Sequence, residues 1–427
     1  MSIYSGPNPN LRNQPNGVPN LAVPEGSPSL YIDFVNNQYE TVNNGIKTAS
    51  SNAMSLITFT RSSNASYIGS NGLIKYAANN EPRFDYGTYS GFNGYCKGLL
   101  IEEQSTNYIL NSQNLSTARI GTASCGSTFT DFATGGPDGG AFVRVTRTSL
   151  TGISVDWPFE FNYNAFTVGW TFNFSCYVRS IDSSIKTFAA SNPDVQYQSV
   201  TLTPQWTRAS FQFTAGAQGG LLGMRINRSN ADDKILGCSY DVAMAQIETL
   251  PYATSYILTT GSAVTRFADD VYFQGTNLNS WFNQTQGTFC FIGSRATATQ
   301  SGRFISNQNF TPEFLGGSPV STNTFSVAMF DGNNLSGVTS SMTLNATARL
   351  AGAYTTTSFY GCAMGGTVGT AVKTNNYPLT PASTINIAKQ SNVNINGGGA
   401  NNMDCTVQNF TYYPVALSAS SLQQITS

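Results

Sequence analysis

Glycoside hydrolysis needs two carboxylates facing one another across a sugar. The chain has adjacent acidic pairs at Glu102-Glu103, Asp232-Asp233 and Asp269-Asp270. Neighbours on one strand point to opposite faces, so no such pair can bracket a bond from a single strand. The separated carboxylates Asp156, Glu160, Asp194, Asp241 and Glu313 could converge only through the fold. Histidine is absent. That excludes Ser-His-Asp and Cys-His chemistry and removes the commonest metal ligand and pH switch. The seven cysteines, at 96, 125, 176, 238, 290, 362 and 405, have no C-x-x-C-like spacing. They read as buried free thiols behaving as small apolar residues. Gly397-Gly398-Gly399 is followed by neither a Lys nor a helical pattern, so it is a bend and not a phosphate cradle. Asp331-Gly332-Asn333-Asn334 could offer oxygen ligands to calcium or form a plain turn. The expectation is a chain with no catalytic residue, no metal and no cofactor.

Sugar binding asks for less: an aromatic plate with amide and hydroxyl partners. Trp157, Tyr163, Tyr197 and Trp206 qualify in the middle of the chain, and Tyr354, Tyr360 and Tyr377 near its end. Core packing is the competing use for each, and the commoner one. Trp170 and Trp281 read as core residues on apolar strand faces. A further set is read as structural. Arg61, Arg83, Glu102, Glu103, Arg266 and Asp269 are scarce charges suited to partly buried Arg–carboxylate pairs that dock one piece of chain on another.

Composition sets the scaffold. Charged residues make up only 10% of 427, with a net charge of −1. Nucleic acid needs a basic face, so it is not expected as a partner. Aromatics reach 12%, with 27 Phe and 21 Tyr, which argues against a disordered chain. No apolar run approaches the roughly 20 residues that span a membrane, and the N-terminus does not read as a signal peptide. Gly, Asn, Ser and Thr fill the remainder, as in an all-β protein with many turns.

Four segments follow. Residues 1–28 carry a proline every few positions, which forbids regular helix and reads as an extended arm or a tail. Residues 29–112 read as a small β module, with a hairpin signal at Asn71-Gly72. Residues 113–262 read as an antiparallel β-sandwich. Its clearest pattern is Phe166 to Val178, with Phe166, Val168, Trp170, Phe172, Phe174, Cys176 and Val178 on one face. Asp241 to Glu248 alternates too, with Val242, Met244, Gln246 and Glu248 on one side and Ala243, Ala245 and Ile247 on the other. Residues 263–427 read as a second sandwich, ending in a strand from Cys405 to Tyr413 and a short helix capped by Ser418.

The order AQIE (245–248), YATSYI (252–257), GSAVTRFAD (261–269) resembles the join between β-sandwich modules of tailed-phage structural proteins. The segments TFTRSSNASY (58–67), PRFDY (82–86) and GLLIEEQSTNYILNS (98–112) are similar to a module found before such sandwiches. Residues 206–248 resemble a carbohydrate-binding-module jelly roll, and the C-terminal segment resembles a concanavalin A/laminin-G-like one. The resemblance covers most of the chain after Pro28. It implies a virion structural protein assembled without a signal peptide, trimeric, with residues 1–28 docking to other virion proteins. A fibre or receptor-binding protein touching host surface polysaccharide is the first expectation. A capsid decoration protein and a glycan depolymerase are the alternatives.

Overall fold

The computed structural model describes residues 23–43, 45–89, 92–113, 127–148, 156–162, 165–181, 187–192, 196–217, 221–226, 239–295, 304–307, 313–321, 324–330, 335–341, 346–372, 384–389 and 403–427. The chain is all-β, built of antiparallel sheets arranged as jelly-roll β-sandwiches. Contacts divide it into two compact units, each discontinuous in sequence. The first is Met1–Thr60, Tyr95–Glu103 and Asp269–Ser427, and the second is Arg61–Gly94 and Gln104–Ala268. This differs from the linear division expected at 112 and 262. Residues 29–112 are shared between the units because their strands find partners far along the chain. Leu30–Asp33 pairs with Cys405–Tyr413, and Thr58–Thr60 pairs with Asp270–Gln274.

In the first unit, Cys405–Tyr413 lies between Gly287–Arg295 and Leu30–Asp33 in the middle of the larger sheet. A second sheet places Asp270–Gln274 between Thr384–Ile387 and Thr58–Thr60. The sheets meet through aromatics. Phe273 packs on Phe410 at 5.1 Å and Phe291 on Phe304 at 4.2 Å between ring centres. Trp281 is buried, as expected, 5.1 Å from Phe273 and 5.0 Å from Tyr412. It follows the short Gly275–Asn279 helix and does not open a strand. Gly98 (φ +119°) runs so close to the paired strand that a Cβ would collide with the Val407 carbonyl oxygen.

The C-terminal strand and helix lie where the pattern put them. Ser418 caps the Ala419–Thr426 helix, its hydroxyl accepting from the Ser421 N–H at 3.3 Å. Leu422 and Ile425 bury in a cluster with Leu417, Ala351 and Val23. So the end of the presumed arm packs on its own unit. Glu25 accepts from the Ser418 N–H (2.9 Å) and the Ser421 hydroxyl (2.7 Å), the job a capping-box glutamate does from within a helix. Of the segment expected to dock elsewhere, residues 23–28 are therefore anchored here, and residues 1–22 lie outside the described ones.

In the second unit a five-stranded sheet runs Ser127–Phe132, Phe142–Arg147, Ser239–Glu248, Thr171–Ser180, Thr207–Thr214. Facing it is a four-stranded sheet of Asp156–Asn162, Leu221–Ile226, Thr187–Ser191 and Tyr197–Thr201. Phe172, Phe174, Phe211, Phe213, Val242 and Ile247 of the first share one core with Phe161, Phe188 and Ala190 of the second. The expected hairpin forms, with Ala65–Ile68 pairing Ile74–Ala77 and Gly72 at φ +76°.

Two expectations are corrected. The strand predicted from Phe166 begins at Thr171, because Gly169 (φ +86°) closes a turn in which the Trp170 N–H donates to the Thr167 carbonyl. Trp170 is thus 54% exposed and not core, and Val168 is exposed with it. The alternation over Asp241 to Glu248 also breaks. A bulge at Met244 (φ +54°) sets one extra residue against the neighbouring strand, between the pairs Tyr177–Ala243 and Ser175–Gln246. Tyr240, Val242, Ala245 and Ile247 then share the inner core, while Ala243 and Met244 join a cluster with Ile74 and Tyr256.

The Glu25 clasp gives a pH-dependent stability. Hydrogen bonds from Ser418 and then Ser421 hold its carboxyl down at about 2, against an ordinary 4.5. A depressed carboxyl contributes stability above its unfolded value and loses it as pH falls through the folded one. Glu25→Gln is expected to cost about 0.5–1 kcal/mol at pH 7. In urea titrations the gap to wild type stays constant above pH 5 and closes between about pH 4.5 and 2.

Candidate functional site

Two constellations stand out in the second unit, one buried and one on the surface. The buried one is built on the AQIE strand. Asn107 spans two neighbours: its Nδ2 donates to the Ala245 (3.2 Å) and Ile257 (2.8 Å) carbonyls, and its Oδ1 accepts from the Ile109 and Ile247 N–H groups, both at 3.1 Å. Gln246 Oε1 accepts from the Ile257 N–H at 2.6 Å. Glu248, fully buried, accepts from the Ser105 hydroxyl (2.7 Å), the Thr254 N–H (3.0 Å) and the Thr254 hydroxyl. These amides and this carboxylate take the place of a strand ladder along residues 254–257, which Pro251 precedes. All three side chains are fully buried and bond to neighbouring chain, so their role is to hold it in place.

The surface constellation crosses the outer face of the five-stranded sheet, at the edge of the cluster in which Phe142 is buried with Ala243, Met244 and Tyr256 and against which Phe132 and Trp206 pack half-buried. Register builds it. Phe132 is paired with Phe142, Arg144 with Asp241, and Asp241 with Arg179. Val178 pairs Thr207, which brings Trp206 beside Arg179. Asp241 is fully buried and binds both cations. Arg144 donates through Nε (2.8 Å) and Nη2 (3.2 Å), and Arg179 through Nε (2.8 Å). The bond to Asp241 raises the Arg144 pKa. Rings and guanidinium groups then alternate. Phe132 and Phe142 stack in parallel at 4.7 Å, and Arg144 lies 4.8 Å over Phe132. Arg179 lies 5.1 Å from the Phe142 ring and 4.5 Å from that of Trp206. Trp206, half-buried, donates its Nε1 proton to the Gly135 carbonyl at 3.0 Å. The arrangement can stack a ring and bind an anion or hydroxyl; among the described residues no second carboxylate bonds to the same arginines.

The sequence-selected residues divide as follows. Trp206 is in the surface row. Tyr354 is corrected from sugar plate to core: it is buried, its hydroxyl bonds Tyr412 (2.7 Å) and Asn283, and burial drives its pKa well up. Tyr360 lies half-buried on the Ser358–Ala363 strand against the Leu422 cluster. Trp157 and Tyr197 belong to strands whose side chains there are outside the description, as are Tyr163, Tyr377 and the 331–334 turn altogether. Arg61 is buried and donates to the carbonyls of Ser63 (2.8 Å), Ala78 (2.7 Å) and Glu81 (3.0 Å). Arg83 donates to the Ser66 carbonyl (2.9 Å) and Ser255 hydroxyl (2.8 Å). Arg266 is buried on Val264–Arg266, which pairs Ser105–Asn107. In the first unit Asp269 accepts the Glu102 N–H at 2.9 Å, and the Glu103 N–H goes to Asp404 at 2.6 Å. Of the separated carboxylates, Asp241 is used up by its arginines.

Sequence reasoning missed Arg144, Arg179, Phe132 and Phe142. The available signal was that charges are rare, so arginines at outward positions of two apolar strands called for a common partner. Cys96, Cys176, Cys290, Cys362 and Cys405 are free thiols, and burial pushes up the pKa of Cys176, Cys290 and Cys405. Among the described residues no three His, Cys, Asp or Glu side chains are grouped to hold a metal, and no helix is long and apolar enough to cross a membrane.

No protein-family model matches the chain, and no curated protein matches it. Solved structures do. The chain is similar to the CBM40 of Ruminococcus gnavus IT-sialidase bound to α2,3-sialyllactose, at 13% identity and TM-score 0.28, over 34% of this chain and 84% of that one. It is similar to an SAP-like pentraxin from Limulus polyphemus, at 14% identity and TM-score 0.28, over 34% and 70%. A third is the receptor-binding domain of a botulinum neurotoxin C/D mosaic serotype, at 10% identity and TM-score 0.29, over 37% and 40%. Likeness of this size leaves the functional argument to the chain's own residues.

Removing the buried clamp is expected to be costly. Asn107→Ala strands four buried backbone groups, and losing such partners costs about 1–3 kcal/mol each before relaxation. A loss of roughly 3 kcal/mol or more is expected in urea unfolding. Trp170→Ser, on an exposed turn, is expected to change stability by less than about 0.5 kcal/mol. Equal effects of the two would refute this assignment of buried and exposed roles.

Proposed function

We propose that this protein is a structural component of a tailed-phage virion, a fibre or receptor-binding protein that presents a β-sandwich face to glycan on the host surface. The observation that carries the glycan reading is the surface row ending in Trp206, where a partly exposed indole stands beside a guanidinium fixed by two rings and a buried carboxylate. Fixed groups bind with little loss of side-chain freedom, and amphipathic rings suit a saccharide face. The virion reading is supported by the AQIE…YATSYI…GSAVTRFAD order and by a surface made soluble with amides and hydroxyls. Attachment to other virion proteins then falls to residues 1–22, since Val23 and Glu25 are taken up by their own unit. Repeated copies in a symmetric assembly, a homotrimer, complete the proposal.

A glycan array probed with the full chain tests the binding, and Trp206→Ala is expected to lower retention about tenfold or more. A wild-type chain that retains no saccharide would end the glycan reading. Cryo-electron microscopy of the particle tests the placement: copies on the tail support a fibre, and copies tiling the capsid replace it with a decoration protein.

A further inference from the structure

The geometry points to a carboxylate-bearing saccharide as the ligand of the surface row, with Arg179 as the group that reads the carboxylate. This rests on the glycan reading above and narrows it. Two arginines share one aspartate. Asp241 carries a single negative charge and is fully buried, while the Arg144 and Arg179 side chains are 31% and 26% exposed. The cluster is therefore left with one net positive charge, in a chain whose overall charge is −1.

That charge is also available. Arg144 spends Nε and Nη2 on Asp241, but Arg179 spends only Nε. Among the described residues, nothing else takes the Nη1 and Nη2 protons of Arg179. They form the edge of the fork that matches a carboxylate in bidentate fashion. The fork is held in place before any ligand arrives, by Phe142 at 5.1 Å, Trp206 at 4.5 Å and the bond to Asp241. Asp138 keeps its own charge but accepts from the Tyr76 hydroxyl (3.2 Å), Gln113 Nε2 (2.8 Å) and the Gly140 N–H (2.8 Å), not from Arg179. Arg208, next along the sheet, is turned away to the Thr254 carbonyl and the Ser175 hydroxyl. A neutral sugar would leave the Arg179 fork facing water. An acidic one would pair it while its ring rests against Trp206.

The test is calorimetric titration of the full chain with oligogalacturonate and sialyl-oligosaccharide, each beside its carboxyl-reduced form. Acidic forms are expected to bind, and reduced forms to bind roughly tenfold more weakly or worse. Arg179→Met is expected to abolish the difference. Arg179→Lys, which keeps the charge and spares the fold but lacks the fork, is expected to keep only part of it. Equal binding of acidic and reduced forms, sensitive to Trp206→Ala but not to Arg179→Lys, would overturn the inference while leaving the glycan reading standing. Binding of no saccharide on the array or in these titrations would overturn both.

Discussion

The second unit depends on a buried polar clamp in a chain that has few charges to spend. Residues 254–257 follow Pro251 and run beside the Ser239–Glu248 strand without continuing its ladder. Their backbone groups must nonetheless be paired, because an unpaired buried N–H or C=O costs about as much as a lost hydrogen bond. Asn107, Gln246 and Glu248 supply the pairs from side chains. An amide matches a peptide group in both donor and acceptor, which is why Asn107 can serve four backbone partners at once. The carboxylate of Glu248 tolerates burial because three donors surround it.

The same economy explains the Met244 bulge. One extra residue in the Ser239–Glu248 strand turns its two ends to different uses. Before the bulge, Asp241 faces outward to the arginines and Val242 inward. After it, Ala245 and Ile247 face inward while Gln246 and Glu248 reach the clamp. Without the bulge the parity would put either Gln246 and Glu248 or Asp241 into the apolar core. The backbone cost of a methionine at φ +54° is what permits one strand to serve both the clamp and the surface row.

Much of the fold was legible because period-2 patterning and turn chemistry act locally. The bounds of Cys405–Tyr413 could be read directly, as could the Ser418 cap and the Asn71-Gly72 hairpin. What failed was parity and partnership. The run from Phe166 kept alternating through Gly169, so Trp170 was counted as core although a turn had already replaced the strand. The outward bulge at Met244 has no residue signature, since nothing about methionine announces a positive φ. The division into units was illegible for a different reason. It depends on Leu30–Asp33 finding a partner near the far end of the chain, and hydrophobic pattern says that a strand has a partner without saying which.

The surface row shows how far local reading can go toward a site. Trp206 was selectable from residue type alone, because an indole next to a strand rich in outward polar residues is an unusual expense. Its meaning came from Arg179 and Asp241, separated by 62 residues and placed by pairing. A buried aspartate with one arginine would be a closed structural pair, balanced in charge even though N–H donors remain. A second arginine changes the balance, since one carboxylate cannot satisfy two forks. The excess N–H groups belong to Arg179, whose side chain is 26% exposed beside the half-buried Trp206. The number of cations on one buried anion, more than the presence of any ring, is what separates a structural ion pair from a surface able to take a charged ligand.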